Sequence, residues 1–218
     1  MNPSVAERTV VHLLRHGKVH NPDGILYGRL PGYRLSASGT EMAVAAAVAL
    51  DGHDVRYLAA SSLLRAQQTA GAIAERTGLP ITTDDRLIEA DNDFAGTQVT
   101  GRGGSLLKPA NWLKLRDPMT PSWGEPYLEI ARRMLGAVYT AQAAAAGGEA
   151  VLVSHQLPIW TIRRFLTGKR LWHSPTSRQC ALASLTSVVF VDGVVSEVTY
   201  REPAAHIAAG DDPVQAGA

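Results

Sequence analysis

Four short stretches of this chain carry side chains that could do chemistry together. The first is Leu14-Arg15-His16-Gly17 and the second is Ser61-Ser62-Leu63-Leu64-Arg65. The third is Leu87-Ile88-Glu89 and the fourth is Val153-Ser154-His155. A neutral imidazole is a good nucleophile toward phosphorus. Two guanidinium forks and a second imidazole can hold three phosphoryl oxygens and stabilise charge as it spreads in a transition state. Gly17 would let the backbone pass close to the phosphate. Such a set still lacks a proton donor for the leaving oxygen. A carboxyl beside a bound dianion has its pKa raised and can serve as that acid near neutral pH. Glu89 is the best candidate because it follows a short apolar segment, with Asp85, Asp91 and Asp93 as rivals on spacing.

These residues need a scaffold that brings them to one place. Thr9–Leu14 reads as a short buried strand and ends at Arg15-His16. Loop signals fill 21–35. Ser36 is placed to cap a helix over 37–51. A second strand is expected over 56–60, followed by a helix to about Thr77 that Ser61 or Ser62 could cap. Gly78 and Pro80 stop that helix, and 81–96 reads as a short strand and loop. A long Ala-rich helix is expected from Glu125-Pro126 to about Ala146, then a third buried strand over Ala150–Val153. Pro158 sits early in the next helix, where proline is tolerated. Two β-rich runs, 184–191 and 194–200, flank Asp192-Gly193, a strong hairpin signal. Strands alternating with helices predict an α/β fold, with a largely parallel sheet and a C-terminal antiparallel hairpin. In such sheets ligands bind beyond the carboxyl ends of the strands. If the strands are parallel neighbours, Arg15, His16, His155 and Arg65 converge there, and the helix after His155 aims its first N–H groups at the same point.

The four stretches, in this order and over roughly 9–165, resemble the histidine phosphatase superfamily, also called phosphoglycerate mutase-like. The resemblance implies a three-layer α/β/α sandwich and phosphoryl transfer with no metal and no cofactor. It makes His16 the phosphorylated nucleophile and gives phosphate binding to Arg15, Arg65 and His155. Glu89 becomes general acid and then general base for water. The sequence departs from the family pattern in four places. Lys18-Val19-His20-Asn21 follows the first motif, so that Asn21 stands one residue early as a phosphate contact. Gln156-Leu157-Pro158 follows the second histidine in place of the usual glycine, with the Gln156 N–H still able to reach phosphate. Phe94-Ala95-Gly96 lacks the family's glutamate. The basic insertion of the bisphosphoglycerate-dependent mutases is absent from 97–124. That absence favours a phosphatase of small phosphomonoesters over a phosphoglycerate mutase. A non-catalytic phosphate-binding member of the fold is a third reading.

Composition bounds the alternatives. The 218 residues fit a single domain over 1–202, with a flexible tail over 203–218. Gly and Pro interrupt 97–124, which reads as a lid or insert. Lys+Arg is 21 and Asp+Glu is 20, so no bulk polyanion such as nucleic acid is expected as partner. The expected partner is a small phosphorylated substrate, and a homodimer is left open. No stretch approaches the ~20 apolar residues of a membrane span. One cysteine, Cys180, permits no intrachain disulfide, and a cytoplasmic setting is the expectation. His12, His16 and His20 are four apart, but the segment reads as strand then loop and no nearby carboxylate or cysteine completes a metal set, so no metal is expected. His12 reads as a strand residue, and His53 and His173 as surface or packing residues. Ser154 beside His155 lacks the Gly-x-Ser-x-Gly elbow of a serine hydrolase.

Overall fold

The computed structural model describes residues 7–98 and 124–208. Its centre is a six-stranded sheet: β1 (Arg8–Arg15), β2 (Val55–Ala60), β3 (Thr82–Thr83), β4 (Glu149–Ser154), β5 (Leu185–Val191) and β6 (Val194–Arg201). The strand order is β3-β2-β4-β1-β5-β6. The pairs β3–β2, β2–β4 and β4–β1 are parallel, while β5 runs antiparallel to β1 and β6 antiparallel to β5. The β5–β6 turn is Asp192-Gly193, both with positive φ (49° and 78°), as a tight hairpin turn of this kind requires.

Helices α1 (Ala37–Val48) and α2 (Leu64–Thr77) cover one face of the sheet, and α3 (Tyr127–Ala144) and α4 (Gln156–Leu166) the other. Side chains alternate along the inner strands and divide the core accordingly. Leu14, Leu58, Val151, Val153 and Leu185 pack with Met42, Ala46, Ala66 and Ile73. Val11, Leu13, Leu152, Val188 and Phe190 pack with Ile130, Met134, Val138, Ile159 and Ile162. This is the three-layer α/β/α arrangement that the family resemblance implies.

Local signals explain most helix ends. The Ser36 hydroxyl accepts the Gly39 N–H at 3.0 Å and caps α1. Gly78 closes α2 with φ 73°. The expected serine cap of α2 is not formed. Leu63 is the N-cap residue and its side chain makes no capping bond, while its own N–H donates to Ser61 Oγ at 3.3 Å. Ser61 is drawn into the site below instead, and Ser62 is exposed. Part of the segment expected as tail packs on the fold. Ala204 is buried, and α5 (Ala205–Ala208) packs near α1. The proposed lid over 97–124 lies almost wholly outside the described residues, as does the chain after 208.

Candidate active site

The register of β1 with β4 aligns Arg15 with Ser154, so their next residues, His16 and His155, leave the carboxyl ends of neighbouring parallel strands together. The two rings lie 5.1 Å apart, centre to centre, and both are fully buried. His16 Nδ1 lies 2.8 Å from its neighbour's carbonyl, Gly17 O. A carbonyl only accepts, so Nδ1 carries the proton and Nε2 keeps its lone pair. Arg65 Nε donates to that Nε2 across 3.3 Å. Burial, reinforced by Arg65 and Arg15, holds the His16 pKa well below the usual imidazole range, so the ring is neutral at pH 7. His155 is held low for the same reasons, and its Nε2 meets the Ser61 hydroxyl at 2.9 Å.

Arg65 is 1% exposed. It comes from the first turn of α2 and is gripped from a loop: NH2 donates to Gly28 O at 2.6 Å, and the guanidinium lies 4.7 Å from the centre of the Tyr27 ring. Arg15 donates to Cys180 O at 2.7 Å. Glu89 is 3% exposed. Its Oε1 accepts the Ala90 N–H at 2.8 Å. Burial raises its pKa, opposed by that N–H and by Arg65, Arg15 and Arg178. The segment leading to Glu89 is pinned at two points. The Ser154 hydroxyl donates to Leu87 O at 2.7 Å, and Arg29 Nε donates to Glu89 O at 2.7 Å. Ser154 is thus a brace.

Three polar atoms in this cluster are buried without a hydrogen-bond partner among the described residues: Arg15 Nε, Glu89 Oε2 and His155 Nδ1. Such atoms are costly unless something pairs with them. Two donors and a carboxyl around a neutral imidazole suit a tetrahedral oxyanion.

The rival carboxylates stand apart from this cluster. Asp85, Asp91 and Asp93 are exposed. Asp91 and Asp93 line an open groove of about 400 Å³ with Arg29, Gly124 and Glu125. Two weaker expectations, at Gly17 and Asn21, meet other arrangements. The Gly17 N–H is taken by Thr69 Oγ1 at 3.1 Å, and a Cβ at Gly17 would stand 2.3 Å from Gly39 O. Its glycine is demanded by helix packing. Asn21 uses both ends of its amide on Ile25, at 2.8 and 3.1 Å, and so fastens its own loop. Gln156 opens α4 and its Oε1 accepts from Arg178 at 3.3 Å. Its N–H is among the first-turn groups that have no partner within the helix.

Sequence reasoning missed Tyr27, Gly28 and Arg178, and read Ser61 only as a candidate helix cap. Arg178 also donates to His173 Nε2 at 2.9 Å and carries charge close to Glu89 and Arg15. Tyr27, Gly28 and Arg178 lie in no local pattern that announces them.

The sheet carries paired histidines at the ends of adjacent strands, with two buried arginines beside them. The chain belongs to the histidine phosphatase superfamily (branch 1), whose model matches residues 11–202. It is 54% identical over 199 residues to the Mycobacterium tuberculosis (strain ATCC 25618 / H37Rv) "Uncharacterized protein Rv0525", covering 91% of this chain and 98% of that one. It is 31% identical over 165 residues to the "Probable phosphoglycerate mutase GpmB" of Yersinia enterocolitica, covering 72% and 74%. Among solved structures, mycobacterial glucosyl-3-phosphoglycerate phosphatase Rv2419c superposes with a TM-score of 0.69 at 28% identity, covering 90% of this chain and 97% of that one. Among the described residues no helix is long and apolar enough to cross a membrane.

Proposed function

We propose that the protein is a metal-independent phosphatase that hydrolyses a small phosphomonoester, in a cytoplasmic setting, through a phosphohistidine on His16. The observation that carries this reading is the trio of unpartnered buried atoms, Arg15 Nε, Glu89 Oε2 and His155 Nδ1, around His16. Arg15, Arg65 and His155 hold the phosphoryl oxygens, and their positive and dipolar groups take up the charge of the transition state. Nε2 of neutral His16 attacks phosphorus. The P–O ester bond breaks, and protonated Glu89 gives its proton to the departing oxygen. Glu89, now a carboxylate, takes a proton from water as the water oxygen attacks the phosphohistidine. The P–N bond breaks, phosphate leaves, and both His16 and Glu89 return to their starting states. The raised Glu89 pKa suits it to the acid step, and the low His16 pKa keeps the nucleophile unprotonated.

The test is turnover of p-nitrophenyl phosphate and of a panel of sugar phosphates, nucleotides and phosphoglycerates, with EDTA present. Wild type is expected to release phosphate and to yield an acid-labile phosphoprotein on rapid quench, and His16→Ala to do neither. A fully active His16→Ala protein overturns the reading. Binding of phosphate or vanadate without turnover of any ester supports the non-catalytic alternative. Sustained conversion of 3-phosphoglycerate to 2-phosphoglycerate, with catalytic bisphosphoglycerate and little free phosphate, supports the mutase.

A further inference from the structure

At the far end of the sheet from His16, three residues distant in sequence converge. His12 lies within β1, Glu149 is the first residue of β4, and His53 lies in the turn between α1 and β2. His12 Nε2 and His53 Nδ1 both reach the same oxygen, Glu149 Oε2, each at 2.7 Å. The two rings meet edge to face with centres 5.9 Å apart. All three donor atoms lie within 4.8 Å of one another. His12 is buried, and its second nitrogen, Nδ1, sits 2.7 Å from Ser187 Oγ on β5. Reading His12 only against its neighbours in sequence hides this set, because both partners arrive through tertiary packing.

We propose that His12, His53 and Glu149 form a binding site for a divalent transition-metal ion, of which zinc is the best fit. Two imidazole nitrogens and one carboxylate oxygen are a donor set that suits zinc and disfavours magnesium or calcium. Ligand bonds of about 2.0–2.2 Å need donor atoms roughly 3.4 Å apart. A small rotation of the half-exposed His53 ring and of the Glu149 carboxylate opens the present 2.7 Å contacts to that spacing. The proton balance closes without a net change. In the empty site each ring gives an N–H to Glu149. With the ion bound, His12 carries its proton on Nδ1 and donates to Ser187 Oγ, the outer contact that typically orients a metal-bound histidine. His53 turns its N–H to solvent. The side chains of Glu149 and His53 are 16% and 31% exposed, which leaves a water-accessible side for a fourth ligand.

His12 lies four residues before His16 along an extended strand, about 13 Å at roughly 3.3 Å per residue. The ion would therefore clamp β1, β4 and the α1–β2 turn together, with no part in the phosphoryl chemistry. This inference does not rest on the proposed activity.

The test uses the full-length, untagged chain stripped with EDTA. Bound zinc is counted by mass spectrometry after gel filtration, and thermal unfolding is followed with and without Zn2+, with Mg2+ as control. About one zinc per chain is expected. Tm should rise by about 5–10 °C at zinc one hundred times Kd, with no response to Mg2+. His53→Gln, which keeps a donor for Glu149, and His53→Ala should each fold, bind no zinc and lose the Tm rise. His16→Ala should keep both, which separates this site from the His16–His155 pair. Absence of zinc binding, zinc binding that survives His53→Gln, or zinc binding abolished by His16→Ala overturns the proposal.

Discussion

Arg65 Nε and His16 Nε2 face each other across 3.3 Å, with the guanidinium held from behind by Gly28 O and the Tyr27 ring. In the proposed mechanism the nitrogen that attacks phosphorus is the one Arg65 donates to in the resting state. When a phosphoryl group enters, that N–H can turn to a phosphoryl oxygen and release the lone pair. A lysine offers a point charge without the planar fork, so it cannot bond Gly28 O, stack on Tyr27 and reach the phosphoryl group together. Arg65→Lys should therefore lower kcat/KM for p-nitrophenyl phosphate by about 100-fold or more, in the range found when one transition-state donor is lost. Circular dichroism would confirm the fold. A loss under about 3-fold would remove Arg65 from the phosphate site.

The pH dependence follows from two opposite shifts. In the proposed mechanism His16 is neutral when it attacks, and burial with Arg65 and Arg15 lowers its pKa. Activity should therefore persist below pH 6.5, where an ordinary histidine is already half protonated. Glu89 must be protonated to serve as acid, and burial raises its pKa. Its raised pKa extends activity above the usual carboxylate range, and the rate then falls as pH rises and the proton leaves. In a kcat/KM profile on an alkyl phosphate, Glu89→Gln should be slower by about 100-fold or more, and the alkaline limb should vanish. With p-nitrophenyl phosphate, whose leaving group needs little protonation, the loss should be much smaller. Equal losses on both substrates would assign the acid elsewhere.

Arg29 offers a separate test of how Glu89 is held. It donates to Glu89 O at 2.7 Å and to Glu125 Oε2 at 3.0 Å, and Glu125 is in turn held by Arg133 at 2.7 Å. The chain runs from the loop after β1, through the acid segment, to α3. Replacing Arg29 with Met keeps the length of the side chain and removes both bonds. Arg29→Met should cut kcat by about 10-fold on poor leaving groups and less on good ones, following the pattern of Glu89→Gln, because small misplacements of an acid are costly. A change in KM alone would instead make Arg29 a substrate contact.

The parts of this site that were legible in the sequence are those whose position follows from the strand they end. Arg15-His16 and Ser154-His155 each close a short apolar run, so their convergence needed only that β1 and β4 be parallel neighbours, which they are. Arg65 was legible because a first-turn helix residue leans back toward the strand end. The rest depends on contacts that no local pattern encodes. Tyr27, Gly28 and Arg29 sit in an irregular loop and reach Arg65 and Glu89 across 37 to 60 residues. Ser61 has the look of a helix cap, yet its hydroxyl meets His155 and accepts only the N–H of Leu63, so α2 begins without a side-chain cap. Asn21 has the look of a ligand contact, yet its amide is spent on Ile25. Ser61 is claimed by a partner 94 residues away and Asn21 by one only four residues on, and neither partner is announced by the residue's own type.

The last prediction concerns the support of the nucleophile rather than the nucleophile itself. The turn after His16 packs backbone to backbone on the first turn of α1. A Cβ at Gly39 would stand 1.9 Å from Lys18 O, a contact with rigid backbone that no rotamer can relieve. Lys18 O is also fixed by the Ser36 N–H at 2.9 Å, so the turn cannot simply retreat. Neither Gly17 nor Gly39 has a positive φ, which means the requirement is for space and not for backbone conformation. Overpacking of this kind costs about 1–3 kcal/mol and sometimes more. Gly39→Ala should lower Tm by roughly 2–12 °C. Because α1 and the His16 turn must separate to admit the methyl group, the variant should also lose kcat by about 10-fold or more at temperatures where it is still folded. Gly71, in the middle of α2, has open space around its position, so Gly71→Ala is the matched control. It should raise or preserve Tm, since alanine is favoured over glycine inside a helix by about 1 kcal/mol, and it should leave kcat unchanged. If Gly39→Ala behaves like Gly71→Ala in both measurements, the close packing of the His16 turn on α1 is not what holds the imidazole in place.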